Sequence, residues 1–314
     1  MKDFIKYLQQ KNLSASTQKY YRLYVERFLY WLDKEPVNAT QKDILAYLSH
    51  LKNHRNQQNI TRRNSLIALN HYFTCLQKNG TTDHNPTALI KIRGTKKKSL
   101  HHIFTFDELQ QIDDNYYQIF IANFDDTHIP KNQKENARLS KQRNYALLSL
   151  LLYQGLQTNE LPRIQIDDID LIKAQIHLTG NRKSNGRTLN LHATQIGVMM
   201  NYLQQIRPQI ARYYPPDTRQ AFLSLPEVSK KTARNPQLKG AIKQLTRQVK
   251  SLQAHFINFK QIRASVITHW IKTYGLRKAQ YMAGHRYISS TEQYLPNDLE
   301  QLTDEIQKYN PFSL

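Results

Sequence analysis

The sequence predicts a mainly α-helical protein in two parts: an all-helical domain over residues 1–92 and an α+β domain with a small antiparallel sheet over 104–314. Three observations carry this. In the first ninety positions apolar residues recur at helical spacing. A basic stretch over 91–103 then breaks that spacing. Beyond it, two short segments alternate apolar and polar residues around a turn rich in glycine and asparagine, as paired strands do.

The elements follow in order. STQKYYRLYVERFLYWLD, residues 16–33, sets Tyr20, Leu23, Tyr24, Phe28, Trp31 and Leu32 at helical intervals. Thr40 with Asp43 resembles a capping box that opens a second helix. A third runs through NITRRNSLIALNHYFTCLQKNG, with Leu66, Leu69, Phe73 and Leu76 turned inward and Gly80 ending it. Arg62 and Arg63 near its start suit either a solvated face or phosphate contact. The segment KIRGTKKKSLHHI contains Gly94 and little bulky apolar surface, so 93–103 reads as a linker. Lys96, Lys97 and Lys98 in it would track a phosphate backbone, although a passive tether is the alternative. Thr105 and Glu108 form the next capping box.

In the second part, QRNYALLSLLLYQGL (142–156) is an apolar helix ending at Gly155. The strands are AQIHLT (174–179) and RTLNLH (187–192), joined by GNRKSNG. Helices are expected over 193–206, 236–252, 258–274 and 276–283. Past Tyr294, Leu299, Leu302, Ile306 and Tyr309 give the tail 297–314 one apolar stripe. That stripe requires burial, either on its own domain or against a neighbouring protomer.

Composition narrows the function. Lys and Arg number 45 against 24 Asp and Glu, a net charge of +21 spread along all 314 residues. An extended positive surface faces a polyanion, with nucleic acid the first candidate and an anionic membrane the second. No apolar run approaches the roughly 20 residues that span a bilayer. The single cysteine, Cys75, permits no internal disulfide and reads as a buried filler in a reduced, cytoplasmic protein. There is no C-x₂-C pair for zinc, no P-loop for ATP and no G-x-S-x-G elbow. Asp167, Asp168 and Asp170 cluster, but they point in different directions from a loop or strand, so no metal and no cofactor is expected.

What remains is a cationic set around one tyrosine. Lys183 projects from the hairpin tip, Lys260 and Arg263 lie three residues apart on a helix, and His285 follows Gly284. Tyr294 comes nine residues after His285, on the next short helix. A phenol with a pKa of about 10 needs a base or a positive field to attack a phosphodiester. Arginine meets the growing charge on the non-bridging oxygens, and a lysine can protonate the leaving oxygen.

These residues resemble the tyrosine recombinase family of phage integrases and Xer-type proteins. MAGHRYISSTEQY is similar to that family's L-G-H-x-x-I-x-T-T-x-x-Y. KQIRASVITH resembles its H-x-L-R-H-x-x-A-T-H at Ile262, Arg263, Thr268 and His269. GLQTNEL–DDIDL resembles G-L-R-x-x-E-L–x-D-I-D, with Glu160 and Leu161 in register. The resemblance implies a SAM-like core-binding domain, a catalytic domain of the DNA breaking-rejoining type, and closure of the two around duplex DNA. It implies four protomers on paired sites, strand exchange through 3′-phosphotyrosyl links, and no need for ATP or metal. Tyr294 becomes the nucleophile and Arg263 the phosphate ligand. His285 donates to a non-bridging oxygen, Lys183 protonates the 5′-oxygen, and His269 takes a helix-packing place. Two positions depart. Lys260 stands where the family usually has histidine, and acts as base only after losing its proton. Gln157 stands in place of the first catalytic arginine, with Arg182 and Arg187 beside the hairpin lysine as candidates for the missing cation. An alternative follows from Gln157: a relative that binds DNA sites without cutting them. A third reading, relaxation of supercoils by the same chemistry, needs no specific site.

Overall fold

The structure is a computed structural model that describes residues 1–94, 102–182, 184–226 and 238–295. The chain divides into two compact units, Met1–Ser99 and Leu100–Leu314.

The first unit is built of helices α1 (Lys2–Gln10), α2 (Ala15–Leu32), α3 (Gln41–Asn53) and α4 (Asn59–Lys78). Ser14 caps α2, and Thr40 and Asp43 form the reciprocal capping box at α3 that the sequence predicts. Phe4, Leu8, Val25, Phe28, Ile44, Leu69 and Phe73 fill its core, and Cys75 is buried beside them. Tyr20 departs from expectation: it is exposed, and Val25 takes the inward place on α2. Arg62 ties α4 to α3 by donating from Nε to the Leu48 carbonyl at 3.1 Å, while Arg63 is exposed.

The second unit surrounds a larger core. Helix α5 (Phe106–Tyr117) begins at the Thr105–Glu108 capping box, and α6 (Lys131–Tyr153) is its central rod. A three-stranded antiparallel sheet follows in the order β1 (Ile169–Asp170), β2 (Gln175–Leu178), β3 (Arg187–Asn190). Ile176 pairs with Leu189 and Leu178 with Arg187, so Arg187, Leu189 and Leu191 share the inward face. Helix α7 (Ala193–Asn201) continues through a wide turn into α8 (Arg207–Ala211). After α9 (Lys239–Leu252) come α10 (Phe259–Ala283) and the short α11 (Ser289–Glu292). Gly275, at φ +78°, breaks α10 between the two helices expected from the sequence. Leu148, Leu150, Ile176, Ile262 and Ile267 are fully buried at the junction of α6, α10 and the sheet.

The acids of QIDDIDL are spent locally. Asp168 accepts from the Gln165 N–H at 2.8 Å, Asp167 pairs with Arg219, and Asp170 accepts from the Lys173 N–H at 2.9 Å.

Candidate active site

Four segments distant in sequence meet in the second unit: the loop after α6, the β2–β3 hairpin, α10, and the turn from Gly284 to Tyr294. Arg263 comes first because α10 places it. Asn258 caps that helix by accepting from the Lys260 and Gln261 N–H groups. This sets Arg263 against the domain core, where it is 5% exposed. Its Nη1 donates to the Gly155 carbonyl at 2.6 Å, and its Nη2 to the Ala283 carbonyl at 2.7 Å and to His285 Nε2 at 3.3 Å. None of these partners is a carboxylate, so the positive charge stays available. Burial pulls the Arg263 pKa down, and Glu160 and Tyr294 oppose that pull.

His285 is placed by Gly284, which ends α10 in the left-handed conformation at φ +69°. Burial first, then the charges of Arg263 and Arg187, lowers its pKa to about 4 against the opposing pull of Glu160. The imidazole is therefore neutral near pH 7. A guanidinium only donates, so Nε2 carries the lone pair facing Arg263 and Nδ1 carries the proton. Nδ1 then donates to Thr291 Oγ1 at 2.9 Å. The Tyr294 ring stacks on the imidazole, with centroids 5.8 Å apart and planes 10° from parallel. The Tyr294 phenol is also near enough to Arg263 to raise the guanidinium pKa. Its backbone N–H donates to the Thr291 carbonyl at 3.0 Å, so Tyr294 sits in the turn just past α11 rather than on the short helix expected.

The opposite side of the site holds Gln157, half-buried, in the loop after Gly155. Its N–H donates to Glu160 Oε2 at 2.8 Å. Glu160 also accepts from both terminal nitrogens of Arg187, at 2.8 and 3.1 Å. Burial raises the Glu160 pKa, but the Arg187 bonds, the Arg187 charge and the Gln157 N–H outweigh it and hold the carboxyl below its usual range. Arg187 is 2% exposed. Its two terminal nitrogens are held by Glu160, and its charge still acts on His285 and Arg263. Its neighbour at 2.6 Å would be a Cβ on Gly284, which explains the glycine there beyond its positive φ.

The hairpin is bolted to the histidine turn. Asn185 N–H donates to the Gly284 carbonyl at 2.9 Å and Ser184 Oγ to the same oxygen at 3.1 Å. Lys183 itself lies outside the described residues, as do Lys96, Lys97, Lys98 and the tail 297–314. Arg182 is exposed on the hairpin beside the Asn181–Ser184 bridge. Lys260 is exposed in the first turn of α10, three residues before Arg263. His269 is exposed on α10, and its ring stacks on Phe106 of α5 with centroids 5.7 Å apart.

Sequence reasoning gave no role to Glu160, Arg187 as its partner, or Thr291. For Arg187 a signal existed. It has the same parity as Leu189 and Leu191 on a strand, so its side chain had to point inward, where a charge needs a partner.

Comparison with known proteins accords with this geometry. Residues 1–81 match the family model described as "Phage integrase, N-terminal SAM-like domain", and 127–301 match "Phage integrase family". The chain is 25% identical to tyrosine recombinase XerD of Listeria innocua over 321 residues, covering 98% of this chain and 97% of that one. It is likewise 25% identical to tyrosine recombinase XerC of Oceanobacillus iheyensis, covering 98% and 94%. Among solved structures, the XerH site-specific recombinase bound to a palindromic difH substrate shares the fold at a TM-score of 0.69 and 17% identity, covering 96% of this chain and 82% of that one. The Tn1549 transposon integrase in complex with transposon right end DNA gives 0.63 at 14%, covering 96% and 98%. No helix among the described residues is long and apolar enough to cross a membrane.

Proposed function

The chain belongs to the phage integrase family, and from that premise we propose that it is a site-specific tyrosine recombinase acting on duplex DNA. The observation that carries this reading is the convergence of Arg263, His285 and Tyr294. A buried cation bonded to no carboxylate contacts a neutral imidazole, and a half-buried phenol stacks on that imidazole.

Tyr294 Oη attacks the scissile phosphorus and the 5′-oxygen leaves, which creates a 3′-phosphotyrosyl bond. Attack by a 5′-hydroxyl reverses the exchange, so the bond energy is conserved. Arg263 supplies paired donors to the non-bridging oxygens as their charge grows. His285 adds a further donor. Lys183 at the hairpin delivers the proton to the leaving 5′-oxygen, and Lys260 serves as base or phosphate clamp. Arg62, Arg63, Lys96, Lys97, Lys98 and Arg182 contact the DNA backbone. The chain works in the cytoplasm on the nucleoid, as a tetramer on paired sites; a lambda integrase tetramer bound to a Holliday junction shares the fold at a TM-score of 0.60 and 15% identity, covering 93% of this chain and 74% of that one.

One observation favours a second reading. With Gln157 at the first arginine position, and Arg187 committed to Glu160, the chain could hold its sites without cutting them. The test is covalent capture. Duplexes are enriched from a randomised pool by binding to the protein, then nicked at successive positions so that cleavage cannot be reversed. A recombinase forms a denaturant-resistant adduct. Tyr294→Phe abolishes the adduct and keeps the binding. Tight binding with no adduct from either Gln157 or Gln157→Arg protein leaves the binding-module reading in its place.

A further inference from the structure

His285 presents a chemical contradiction. In the structure it accepts a hydrogen bond: Arg263 Nη2 has only protons to offer, at 3.3 Å from Nε2. A phosphate oxygen has only lone pairs to offer. When the phosphate takes the Arg263 donors, the same Nε2 must turn from acceptor to donor. A neutral imidazole does this by moving its proton from Nδ1 to Nε2, with no net uptake of charge. The exchange leaves Nδ1 as an acceptor, so whatever faces Nδ1 must also reverse its role.

Thr291 faces Nδ1, with Oγ1 2.9 Å away. A hydroxyl donates or accepts as its proton rotates, whereas a carboxylate or carbonyl only accepts and would lock the proton on Nδ1. Thr291 is completely buried, so water does not readily substitute for it. It is also fixed to the nucleophile segment: its N–H donates to the Ile288 carbonyl at 2.7 Å, and its own carbonyl accepts from the Tyr294 N–H at 3.0 Å. We propose that Thr291 is a positioning residue whose reversible hydroxyl lets His285 switch from accepting from Arg263 to donating to the scissile phosphate. The proposal rests on the recombinase reading for the presence of that phosphate. Two facts reinforce it. Burial and the flanking arginines disfavour an imidazolium, so a tautomer exchange is the route open to a neutral ring. The stacked Tyr294 ring keeps the imidazole plane from swinging away.

The experiment compares full-length wild type, Thr291→Val and Thr291→Ser on the nicked duplexes enriched from a randomised pool. Valine keeps the shape and removes the hydroxyl. Serine keeps the hydroxyl. Expected are unchanged DNA affinity for both, a melting temperature lowered by a few degrees in Thr291→Val, where the buried Nδ1–H loses its acceptor, adduct formation slowed about 100-fold in Thr291→Val, as for loss of one transition-state donor, and both restored in Thr291→Ser. Nitrogen-15 spectra of labelled histidine give a readout that folding does not mimic. His285 should carry its proton on Nδ1 in free Tyr294→Phe protein and on Nε2 when that variant is bound to the duplex. This second measurement decides the matter if Thr291→Val does not fold. Wild-type adduct together with an equally fast Thr291→Val, or an Nδ1 proton that stays in place in the complex, overturns the role given to Thr291. Absence of any wild-type adduct overturns the recombinase reading, and the inference with it.

Discussion

Arg263 and Arg187 are both buried arginines at the edge of one site, and they are held in opposite ways. Arg187 meets a carboxylate with both terminal nitrogens, so the pair is neutral, while its buried Nε has no partner. Arg263 meets two backbone carbonyls and a neutral imidazole, so its charge is oriented but not cancelled. The difference sets the proposed phosphate ligand, Arg263, apart from its neighbour. Burial alone does not do so, at 2% and 5% exposure. What matters is whether the partner carries charge: a guanidinium held by dipoles retains its full attraction for an incoming phosphate, and one held by a carboxylate does not.

The comparison breaks most visibly at Glu160. Glu160→Ala strands the Arg187 charge in the interior, which typically costs about 3–5 kcal/mol. Urea denaturation of the purified variant should show a loss of that size, and a loss below about 1 kcal/mol would mean that the pair organises nothing. Gln157→Arg sharpens the other side. It adds a second cation not neutralised in advance, and adduct formation should rise by up to about 10²–10³, or roughly 2.7–4 kcal/mol of barrier. An unchanged rate would show that another cation already serves, and Arg182→Ala should then slow cleavage by a similar factor. Gly284→Ala should have a smaller effect, about 1–3 kcal/mol of stability, because it strains a φ of +69° and pushes a methyl against Arg187 Nη1 and Ser184 Oγ. Thermal unfolding measures it.

The smallest effect is in pH. The His285 pKa falls from 6.5 unfolded to about 4 folded. Its contribution to stability is complete above 6.5 and is lost as pH falls towards 4, because the unfolded chain binds the proton first. Asp113 acts in the other direction. Burial chiefly, against the opposing bond from the Tyr153 hydroxyl, raises its carboxyl from 3.8 to about 6, so its contribution falls as pH rises between those values. Asp113→Asn should therefore steepen the rise in denaturation midpoint between pH 4 and 6.5. A slope that stays the same would show that Asp113 ionises normally.

Much of this was legible in the sequence. The apolar spacing of α2, α4 and α10 reports how each helix is buried, and the two threonine capping boxes mark the starts of α3 and α5 because the signal is local. The His285–Tyr294 spacing is equally local, so the motif carried the site. Other features were hidden for physical reasons. Helix α1 is short and its inward set is only Phe4, Tyr7 and Leu8. The first turns of α6 are polar, and burial starts at Leu139, so the apolar pattern begins late. Strand β1 has two residues and no period to detect. The Glu160–Arg187 pair joins residues 27 positions apart, and only the folded sheet brings them together.

Gly284 O receives both the Asn185 N–H and the Ser184 hydroxyl, from a hairpin 100 residues earlier in the chain. The hairpin that carries Lys183, proposed above as the proton donor, and the turn that bears the histidine are thus interlocked at a single oxygen. If the hairpin lifts, the histidine turn loses two anchors at the same moment. The site then assembles or disassembles as one unit, and a half-armed enzyme, able to cut a strand but not to protonate its end, is a state that this geometry discourages.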